Sequence, residues 1–423
     1  MQFDPTRAAA LIRLADFLPR AGRHYGAHRN EDEGTDPEGA ARRHVSQLSP
    51  WLHAGLLGEA EVLDAVLACH APRDAEKFVA EVFWRIYFKG YLEQRPSVWA
   101  DYRAGRDAAL AALASDARLR DAHAKATEGR TGIAAFDHWA RELVETGYLH
   151  NHARMWFASI WIFTLRLDWR LGADFFLRHL VDGDAASNTL SWRWVAGLHT
   201  RGKHYLAHAE NIARYTAGHP QGPLGAEGLA EDAAPLSEPA DHPRVPLALP
   251  EPVGAADLAR PFALLLHEEA AHHAPLGLPA APALVIGAER AAARSPGAVS
   301  PLVTGFARRA VIGSMAEAAA AFGCPAAEWD AEASLAPLLA GRGIERIVLP
   351  CLPQGWTRDA LWPQLAPLAA QGRLVTLVPA LSRATWPHAR AGFFGVAKQI
   401  DDLLRQCGIT GSAAPQAAAA AAG

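Results

Sequence analysis

The sequence predicts an α plus α/β protein with two domains, in which an all-helical domain precedes a parallel-sheet α/β domain. Apolar residues recur at helical spacing up to about residue 218, and a stretch rich in Pro, Gly and acidic residues follows without periodicity. Beyond it, short apolar runs alternate with Ala-rich amphipathic stretches, as in βα units. The predicted boundaries are a helical domain at 1–218, a linker at 219–254, an α/β domain at 255–410 and a disordered tail at 411–423.

The helical elements are predicted from periodicity and from residues that begin or end helices. PTRAAALIRLADFL places Pro5 in a first turn, and AEKFVAEVFWRIYFKGYL repeats apolar residues at intervals of three and four. FDHWARELVETG ends at Gly147, a residue type that favours the helix C-terminus. We therefore expect helices throughout the first half of the chain.

Four strands are predicted in the second half, and they begin at Phe262 (FALLLH), Ala283 (ALVIG), Arg346 (RIVLPC) and Arg373 (RLVTLVP). The first strand runs into HEEAAHH, which holds several metal-ligand residue types. His267 and His272 are five residues apart, whereas a zinc-binding helix places its histidines at i and i+4. We expect a solvated loop there and no metal.

Composition excludes several classes of protein. The 41 Lys and Arg residues do not exceed the 45 Asp and Glu residues, so no global basic field attracts nucleic acid. Four dispersed cysteines fit a reducing compartment, and no apolar run reaches about 18 residues. Neither GxGxxG nor GxxxxGK[ST] occurs. The expectation is a cytoplasmic protein that does not engage a membrane.

The most informative segment runs from Gly129 to Trp194 and holds six of the 13 tryptophans. It reads TG(x4)D(x8)TG(x2)HN(x2)RM, then DWR and FF, then DGD(x3)N(x3)WxW, without a gap. This order resembles the flavin-binding domain of the photolyase/cryptochrome family, and the resemblance covers roughly residues 1–210. In that family an α/β antenna domain comes first, so the order of domains here implies a circular permutation.

The resemblance implies FAD as cofactor. Arg154 and Asp182 would form a buried pair, and Asn188 would face the flavin N5, where a neutral amide tunes the redox state. Without the resemblance, Ser49 would be interpreted as a plain helix N-cap. The implied cofactor-binding residues are Tyr25, Ser46, Gln47, Leu48, Ser49, Phe78, Glu81, Arg85, Tyr148, Asn151, Arg154, Asp182, Asp184 and Asn188.

Residues matching the lesion-contacting set of cyclobutane-dimer photolyases are also present. Aromatic faces hold the flipped pyrimidines, and a carboxyl group with a raised pKa donates to their carbonyls. The catalytic set is Glu81, Trp84, Asn151, Met155 and Trp194, in which Met155 favours the cyclobutane lesion. The candidate DNA contacts are Arg85, Lys89, His152, Arg193, Arg201 and Lys203.

Trp192 and Trp169 match the first two members of the family's tryptophan electron-transfer chain. The third position falls on Asp116, so Trp139, Trp156 or Trp161 could substitute, or a soluble reductant could act directly. The cysteines of the iron–sulfur subgroup are absent. An antenna chromophore of the folate or deazaflavin type is neither supported nor excluded.

The leading hypothesis is a deoxyribodipyrimidine photolyase-like lyase that binds damaged DNA and splits cyclobutane pyrimidine dimers under blue light. The alternative is a cryptochrome-like photoreceptor that signals to a protein partner. A flavoprotein with dark redox chemistry is a third hypothesis, for which the sequence holds no substrate motif.

Overall fold

The computed structural model describes residues 3–34, 42–239 and 241–411, so nearly all of the predicted tail lies outside the described residues. Up to Tyr215 the described residues form helices and no strand. The helices of this helical region are α1 Arg7–Phe17, α2 Arg23–His28, α3 Ser49–His53, α4 Glu59–Cys69, α5 Pro72–Glu93, α6 Pro96–Ser115, α7 Ala117–Thr127, α8 Ala134–Thr146, α9 Asn151–Ser159 with a π-helical turn at Ile160–Thr164, α10 Trp169–His179, α11 Ala185–Ala196 and α12 Ala209–Tyr215.

Local chemistry explains several helix ends. α8 ends at Gly147, which has a φ of 71°, so the predicted glycine end is confirmed. α1 begins at Arg7 with the Thr6 side chain accepting from the backbone N–H of Ala9. Pro5 therefore lies just outside the helix, and its predicted place in the first turn is wrong.

The second region, which we call the α/β region, holds one parallel sheet of five strands among the described residues. The strand order is β3-β2-β1-β4-β5. Four strands arise from the predicted runs; the short, largely exposed β3 was not predicted because AAE offers no apolar run. The elements are β1 Phe262–His267, β2 Leu284–Ala288, α13 Pro301–Phe322, β3 Ala326–Glu328, α14 Ala336–Leu339, β4 Arg346–Pro350, α15 Trp356–Ala370, β5 Leu374–Leu377, α16 Ala380–Thr385, α17 Phe394–Ala397 and α18 Ile400–Gln406.

The two regions share a hydrophobic core. One buried cluster joins residues of α1, α4 and α5 to Phe306 of α13 and to Leu381 and Trp386 near the end of the chain. A Cβ at Gly90 of α5 would lie 2.5 Å from the Trp386 ring, so glycine permits this close approach. The packing of one region therefore depends on the other.

The segment between Tyr215 and the α/β region lies along the helices. The backbone N–H of Leu236 donates to the carbonyl of Ala196 at the end of α11. The N–H of Val245 likewise donates to the carbonyl of Gln94, just after α5. Apart from the short 3₁₀ turn Ala255–Leu258, the described residues between α12 and β1 form neither helix nor strand.

The carboxyl ends of the central strands face the helical region. The loops after β1, β2 and β4 carry Glu269, Arg294 and Trp356, and each of these side chains is at least nine-tenths buried. Loops at this edge of a parallel sheet form the sites of many α/β proteins. None of the helices formed by the described residues combines the length and apolar character needed to cross a bilayer.

Candidate functional site

The segment from Ser46 to Ser49 enters α3 through a backbone bend. Gln47 has a φ of 52° and Leu48, the N-cap, is in the right-handed helical region. Consecutive left-handed and right-handed residues direct their N–H groups to one side, an arrangement suited to an anion. Ser49 is the first helical residue, so its interpretation as an N-cap is wrong.

Arg13 fixes this segment through hydrogen bonds to its backbone. Its guanidinium donates to the carbonyls of Arg42, Val45 and Ser46 at 2.8, 2.9 and 2.7 Å. The side-chain carbonyl of Gln47 accepts from the N–H of Arg42, while its Nε2 is buried without a hydrogen-bond partner among the described residues. A buried amide donor without a partner is available to an incoming acceptor.

Arg154 and Asp182 form an ion pair between α9 and the turn before α11. The distance from Arg154 Nη2 to Asp182 Oδ2 is 2.8 Å, and the carboxylate is 2% exposed. The other carboxylate oxygen, Oδ1, is buried without a partner among the described residues. The Arg154 guanidinium also lies 5.4 Å from the centroid of the Tyr148 ring. This pair joins two elements that the sequence separates by 28 positions.

Asp184 sits within a cluster of charges at the boundary of the two regions. Its Oδ1 accepts from the N–H of Ser187 and caps α11. Its Oδ2 lies 3.3 Å from Lys89 Nζ, 3.6 Å from Arg85 Nη2 and 3.9 Å from His53 Nδ1. Burial alone would raise the pKa of Asp184, but the Lys89 and Arg85 cations lower it below its usual range. The carboxyl group is therefore ionised.

Asn188 is buried on α11, with its side chain oriented by α10. Its Nδ2 donates to the carbonyl of Ala173 at 2.9 Å. With the amide nitrogen used in this way, Oδ1 is the atom left to accept a hydrogen bond from a ligand. The orientation suits a donor such as a ring N–H.

Glu81 lies on α5, where its Oε1 accepts from Arg29 Nη1 at 3.0 Å. Although 35% of its side chain is exposed, burial raises the pKa of Glu81, and Arg29 opposes this rise. One turn earlier on α5, Phe78 packs edge-on against Tyr25 of α2 at 5.2 Å. Glu81 is thus a carboxyl group with an elevated pKa, one turn from the Phe78–Tyr25 ring pair.

These groups fit a flavin dinucleotide. The bend at Gln47 and Leu48 suits the pyrophosphate of FAD, and the oriented Asn188 amide suits the edge of the flavin ring. The buried Gln47 amide without a partner and the Arg154–Asp182 pair suit the polar chain between them. The donor set belongs to a polar organic cofactor, because the cations Arg85, Lys89 and Arg154 would repel a metal ion.

Residues 78–222 match the family described as the FAD binding domain of DNA photolyase. A deoxyribodipyrimidine photo-lyase of Streptomyces griseus is 40% identical over 176 residues, which are 40% of this chain and 35% of that protein. One of Synechococcus is 32% identical over 46% of this chain and 39% of its own. A zebrafish (Danio rerio) cryptochrome DASH is 32% identical over 36% of this chain and 29% of its own. Residues 78–222 of the helical region are thus similar to the FAD-binding domain of the photolyase/cryptochrome family.

The match to this family is confined to part of the molecule. The chain spans roughly a third to two fifths of the length of these relatives. The crystal structure of a bacterial class III photolyase from Agrobacterium tumefaciens is 29% identical, with a TM-score of 0.41 over 50% of this chain and 42% of that one.

The two tryptophans that the sequence matches to the family's electron-transfer chain, Trp192 and Trp169, lie on α11 and α10. Trp192 of α11 is 1% exposed, and a Cβ at Gly172 of α10 would lie 2.3 Å from its ring. Glycine there lets the indole approach α10 one turn after Trp169. Asp116 is the N-cap of α7 and carries no ring, so the third position of the chain lacks an aromatic carrier.

A series of aromatic ring contacts continues from Trp169. Its ring lies 5.8 Å from Tyr102, which stacks on Trp99 at 5.2 Å and 30°. Trp99 Nε1 donates to Asp359, whose carboxylate is 38% exposed. The three substitutes considered from the sequence, Trp139, Trp156 and Trp161, are each completely buried. The Tyr102 and Trp99 rings, both buried, therefore extend the aromatic contacts of Trp169 as far as the partly exposed Asp359.

Two residues of the predicted lesion-contacting set, Trp84 and Trp194, stack on other aromatic rings of the chain. Trp84 stacks face to face on Phe393, with ring centroids 4.0 Å apart at 15°. Trp194 stacks on Tyr205 at 5.8 Å and 24°. Asn151 is exposed at the start of α9 and Met155 is half-buried one turn later. Phe393 thus covers one face of the Trp84 ring.

Most of the candidate DNA contacts are ion-paired within the chain. Lys89 lies 3.3 Å from Glu269 of the α/β region, and Arg85 lies 3.2 Å from Glu59. Arg193 is buried and paired with Glu238, a residue of the segment after α12. The remaining three differ: His152 stacks on Trp156 at 4.1 Å, Arg201 forms an exposed pair with Asp241, and Lys203 is exposed.

The loop HEEAAHH is not solvated, and that prediction is wrong. His267 and Glu268 are at most 1% exposed, and the N–H of Ala271 donates to the carbonyl of Ala54. The loop is buried because other parts of the same chain cover it: Lys89 and Thr357 both contact the Glu269 carboxylate. Periodicity could not reveal this, because the covering residues are distant in sequence.

Sequence reasoning also missed residues that contribute to the site. Arg294 is 2% exposed, donates to the carbonyl of Leu180 at 2.7 Å and lies over the Trp356 ring at 4.8 Å. Neither it nor Phe393 belongs to a motif. For Arg13, the helical spacing that places it on the buried face with Leu14 and Phe17 was the available signal.

Proposed function

We propose that this protein is a blue-light-driven, FAD-dependent enzyme that repairs cyclobutane pyrimidine dimers in DNA. The observation that carries the proposal is Glu81: a carboxyl group of raised pKa, three residues before Trp84 on α5, within the segment 78–222 that matches the FAD binding domain of DNA photolyase. Several relatives are named deoxyribodipyrimidine photo-lyase, which supports the same activity.

The residues proposed to hold FAD include two buried groups without a hydrogen-bond partner among the described residues, Gln47 Nε2 and Asp182 Oδ1. The Ser46–Ser49 bend would receive the pyrophosphate, while Asn188 Oδ1 would accept from the ring edge. Arg154 and Asp182 would keep their pairing and line the cofactor. When bound and reduced, FAD supplies light-driven transfer of one electron to the dimer, and the same electron returns after the ring splits.

Glu81 would bind the lesion. A protonated carboxyl group donates a hydrogen bond to a pyrimidine carbonyl, and its raised pKa keeps more of the protonated form near neutral pH. Arg29 opposes that rise, so loss of its contact with Glu81 would increase the fraction of Glu81 that is protonated and able to donate. Trp84 and Trp194 would hold the unstacked rings by their faces.

Electrons for cofactor reduction would enter through the chain's own aromatic rings. We assign the route to Trp99, Tyr102, Trp169 and Trp192 in that order, from the surface inward. Tyr102 and Trp99 would replace the aromatic carrier that is absent at Asp116.

The domain arrangement would be that of a permuted photolyase. The α/β region would stand in for the family's antenna domain, displaced to the end of the helical region. Its strand order and the contacts of the loops after β1, β2 and β4 with the helices support this correspondence.

A cryptochrome-like photoreceptor is the second candidate, and two contacts favour it. Phe393 covers Trp84, while Glu238 pairs with Arg193, so the face that would receive DNA is occupied by the chain itself. In this alternative the covering segment would move on illumination and present a surface to a protein partner.

The deciding experiment is repair of a single thymine dimer in an oligonucleotide by chemically reduced protein, in blue light and in darkness. We expect light-dependent restoration, strongly diminished in Glu81→Ala, with flavin content unchanged. Glu76→Ala is the matched control, because Glu76 is exposed on the same helix. Absence of restoration with FAD bound and reduced would contradict repair and favour the photoreceptor.

A further inference from the structure

A cluster of three histidines and two glutamates lies on the helical region, apart from the charge cluster around Asp184. His24 and His28 are one turn apart on α2, and their rings are 4.7 Å apart. His44, which precedes the Ser46–Ser49 bend, stacks on His28 at 4.8 Å and 22°. No motif of the photolyase family accounts for the grouping, and the proposed repair chemistry does not use it.

The nitrogen and oxygen atoms of the cluster converge. His28 Nδ1 lies 2.9 Å from Glu31 Oε1, and His44 Nε2 lies 3.4 Å from Glu31 Oε2. One ligand atom from each of these three residues falls within 4.8 Å of the others. Two ligands of a tetrahedral zinc ion, each at about 2.1 Å from the metal, lie roughly 3.4 Å apart. Small adjustments of side chains would therefore bring the three atoms to one ion.

Two further residues orient the ligands. Glu33 Oε2 accepts from the backbone N–H groups of Arg43 and His44 at 3.0 and 3.1 Å, which fixes its carboxylate. The other oxygen, Oε1, lies 3.2 Å from His44 Nε2. His24 Nε2 lies 3.0 Å from His44 Nδ1 and sets which ring nitrogen of His44 faces the carboxylates. Such outer hydrogen bonds are typical of histidine ligands of metal ions.

We propose that His28, Glu31 and His44 bind a divalent transition-metal ion of the zinc type, with Glu33 adjacent and His24 orienting His44. Imidazole and carboxylate together favour zinc over magnesium or calcium, which take oxygen ligands. Two carboxylates balance the charge of the ion. His28 and Glu31 are 41% and 40% exposed, so the ion can enter from solvent.

The site would clamp two segments that approach the proposed flavin site. α2 carries Tyr25, and the segment from Arg42 to Ser46 is held by Arg13. A metal ion shared by α2 and His44 would tie these segments together. The inference does not depend on the proposed repair activity, because it concerns binding of the ion alone.

The test is equilibrium dialysis of the full chain, free of any affinity tag, against Zn²⁺, followed by the absorption spectrum with Co²⁺ in its place. We expect one ion per chain and a cobalt spectrum with visible bands of tetrahedral intensity. His44→Ala and Glu31→Gln should each weaken binding by at least about tenfold. Glu31→Gln preserves side-chain volume and serves if His44→Ala fails to fold.

Two control variants locate the ion. His208→Ala removes an exposed histidine at the start of α12 and should leave zinc binding unchanged. His242→Ala alters a different group, Asp101, Glu238 and His242, whose ligand atoms also converge. The inference is wrong if the unaltered chain binds no stoichiometric zinc, if His44→Ala and Glu31→Gln bind normally, or if only His242→Ala loses the ion.

Discussion

The proposed cofactor side, around Gln47 and Asp182, and the proposed lesion side, around Trp84 and Arg193, differ in whether their polar and aromatic groups have partners within the chain. On the cofactor side, Gln47 Nε2 and Asp182 Oδ1 are buried and have no partner among the described residues. On the lesion side, Trp84 is stacked on Phe393 and Arg193 is paired with Glu238. The first is preorganised for a ligand, whereas the second is satisfied by the chain itself.

If both proposed sites act as assigned, this difference predicts that a variant can change access for DNA without changing flavin content. A buried donor without a partner is unfavourable until a ligand arrives, so the cofactor side favours occupancy. A stacked ring and a paired guanidinium must first be released before DNA can use them. We therefore expect DNA access to the proposed lesion side to require an uncovered arrangement, in which these contacts are open.

The largest effect is expected on the cofactor side, from Arg154→Ala. Removal of the guanidinium leaves the buried Asp182 carboxylate unpaired, which should lower the free energy of unfolding by about 3 kcal/mol. Urea denaturation and the ratio of flavin to protein after purification measure the two consequences. Arg130→Ala is the control, since its pair with Glu128 is more than half exposed and should change stability little. Full flavin content and normal stability in Arg154→Ala would remove the pair from the site.

Trp99→Phe should slow photoreduction of the flavin severalfold, because phenylalanine is much harder to oxidise than tryptophan. Repair by chemically reduced protein should remain, so the variant separates cofactor reduction from catalysis. Flash photolysis measures the rate, with Trp362→Phe as the control, an exposed tryptophan near Arg358. If photoreduction is equally fast in Trp99→Phe, the route leaves Trp169 by another residue.

Phe393→Ala tests the lesion side directly. Loss of the stacked pair should destabilise the covered arrangement by about 1 kcal/mol, which raises the uncovered population roughly fivefold. Binding of a dimer-containing oligonucleotide should tighten by a comparable factor, as measured by fluorescence anisotropy. The adjacent Phe394→Ala is a matched control, because that ring is 72% exposed. Equal affinities in all three proteins would show that Phe393 does not limit access.

The last prediction concerns the pH dependence of the boundary between the two regions. Burial, with help from Glu289 and Glu269, raises the pKa of Glu268 to about 8, against an ordinary value of 4.5. Between those values the folded chain keeps a proton that the unfolded chain loses, so this group's contribution to stability declines as the pH rises.

Glu268→Gln should accordingly flatten the fall of the melting temperature between about pH 5 and 8. Calorimetry at several pH values provides the comparison, and Glu332→Gln, on an exposed carboxylate, should retain the slope of the unaltered protein. An unchanged slope in Glu268→Gln would mean that another group titrates.

The sequence could predict those parts of the structure that depend on neighbouring residues. Helix α8, its end at Gly147 and four of the strands follow from local periodicity and composition. Whether the predicted site residues bind flavin and DNA stays a prediction.

The covering contacts could not be predicted in the same way. Phe393 reaches Trp84 from the far end of the chain, and Arg294 reaches Leu180 from the α/β region. Such pairings are set by tertiary packing, which leaves no period or spacing in the sequence. The exposed loop expected at HEEAAHH was wrong for the same reason.

The core shared by α1, α4, α5 and the segment from Leu381 to Ile409 has a consequence for biosynthesis. While the ribosome is still translating the α/β region, the helices already made lack the apolar partners that complete their core. The apolar residues of α5 would then be exposed in the nascent chain and available to chaperones. A truncated protein that ends before Leu381 should aggregate, even though it contains every residue proposed to contact flavin.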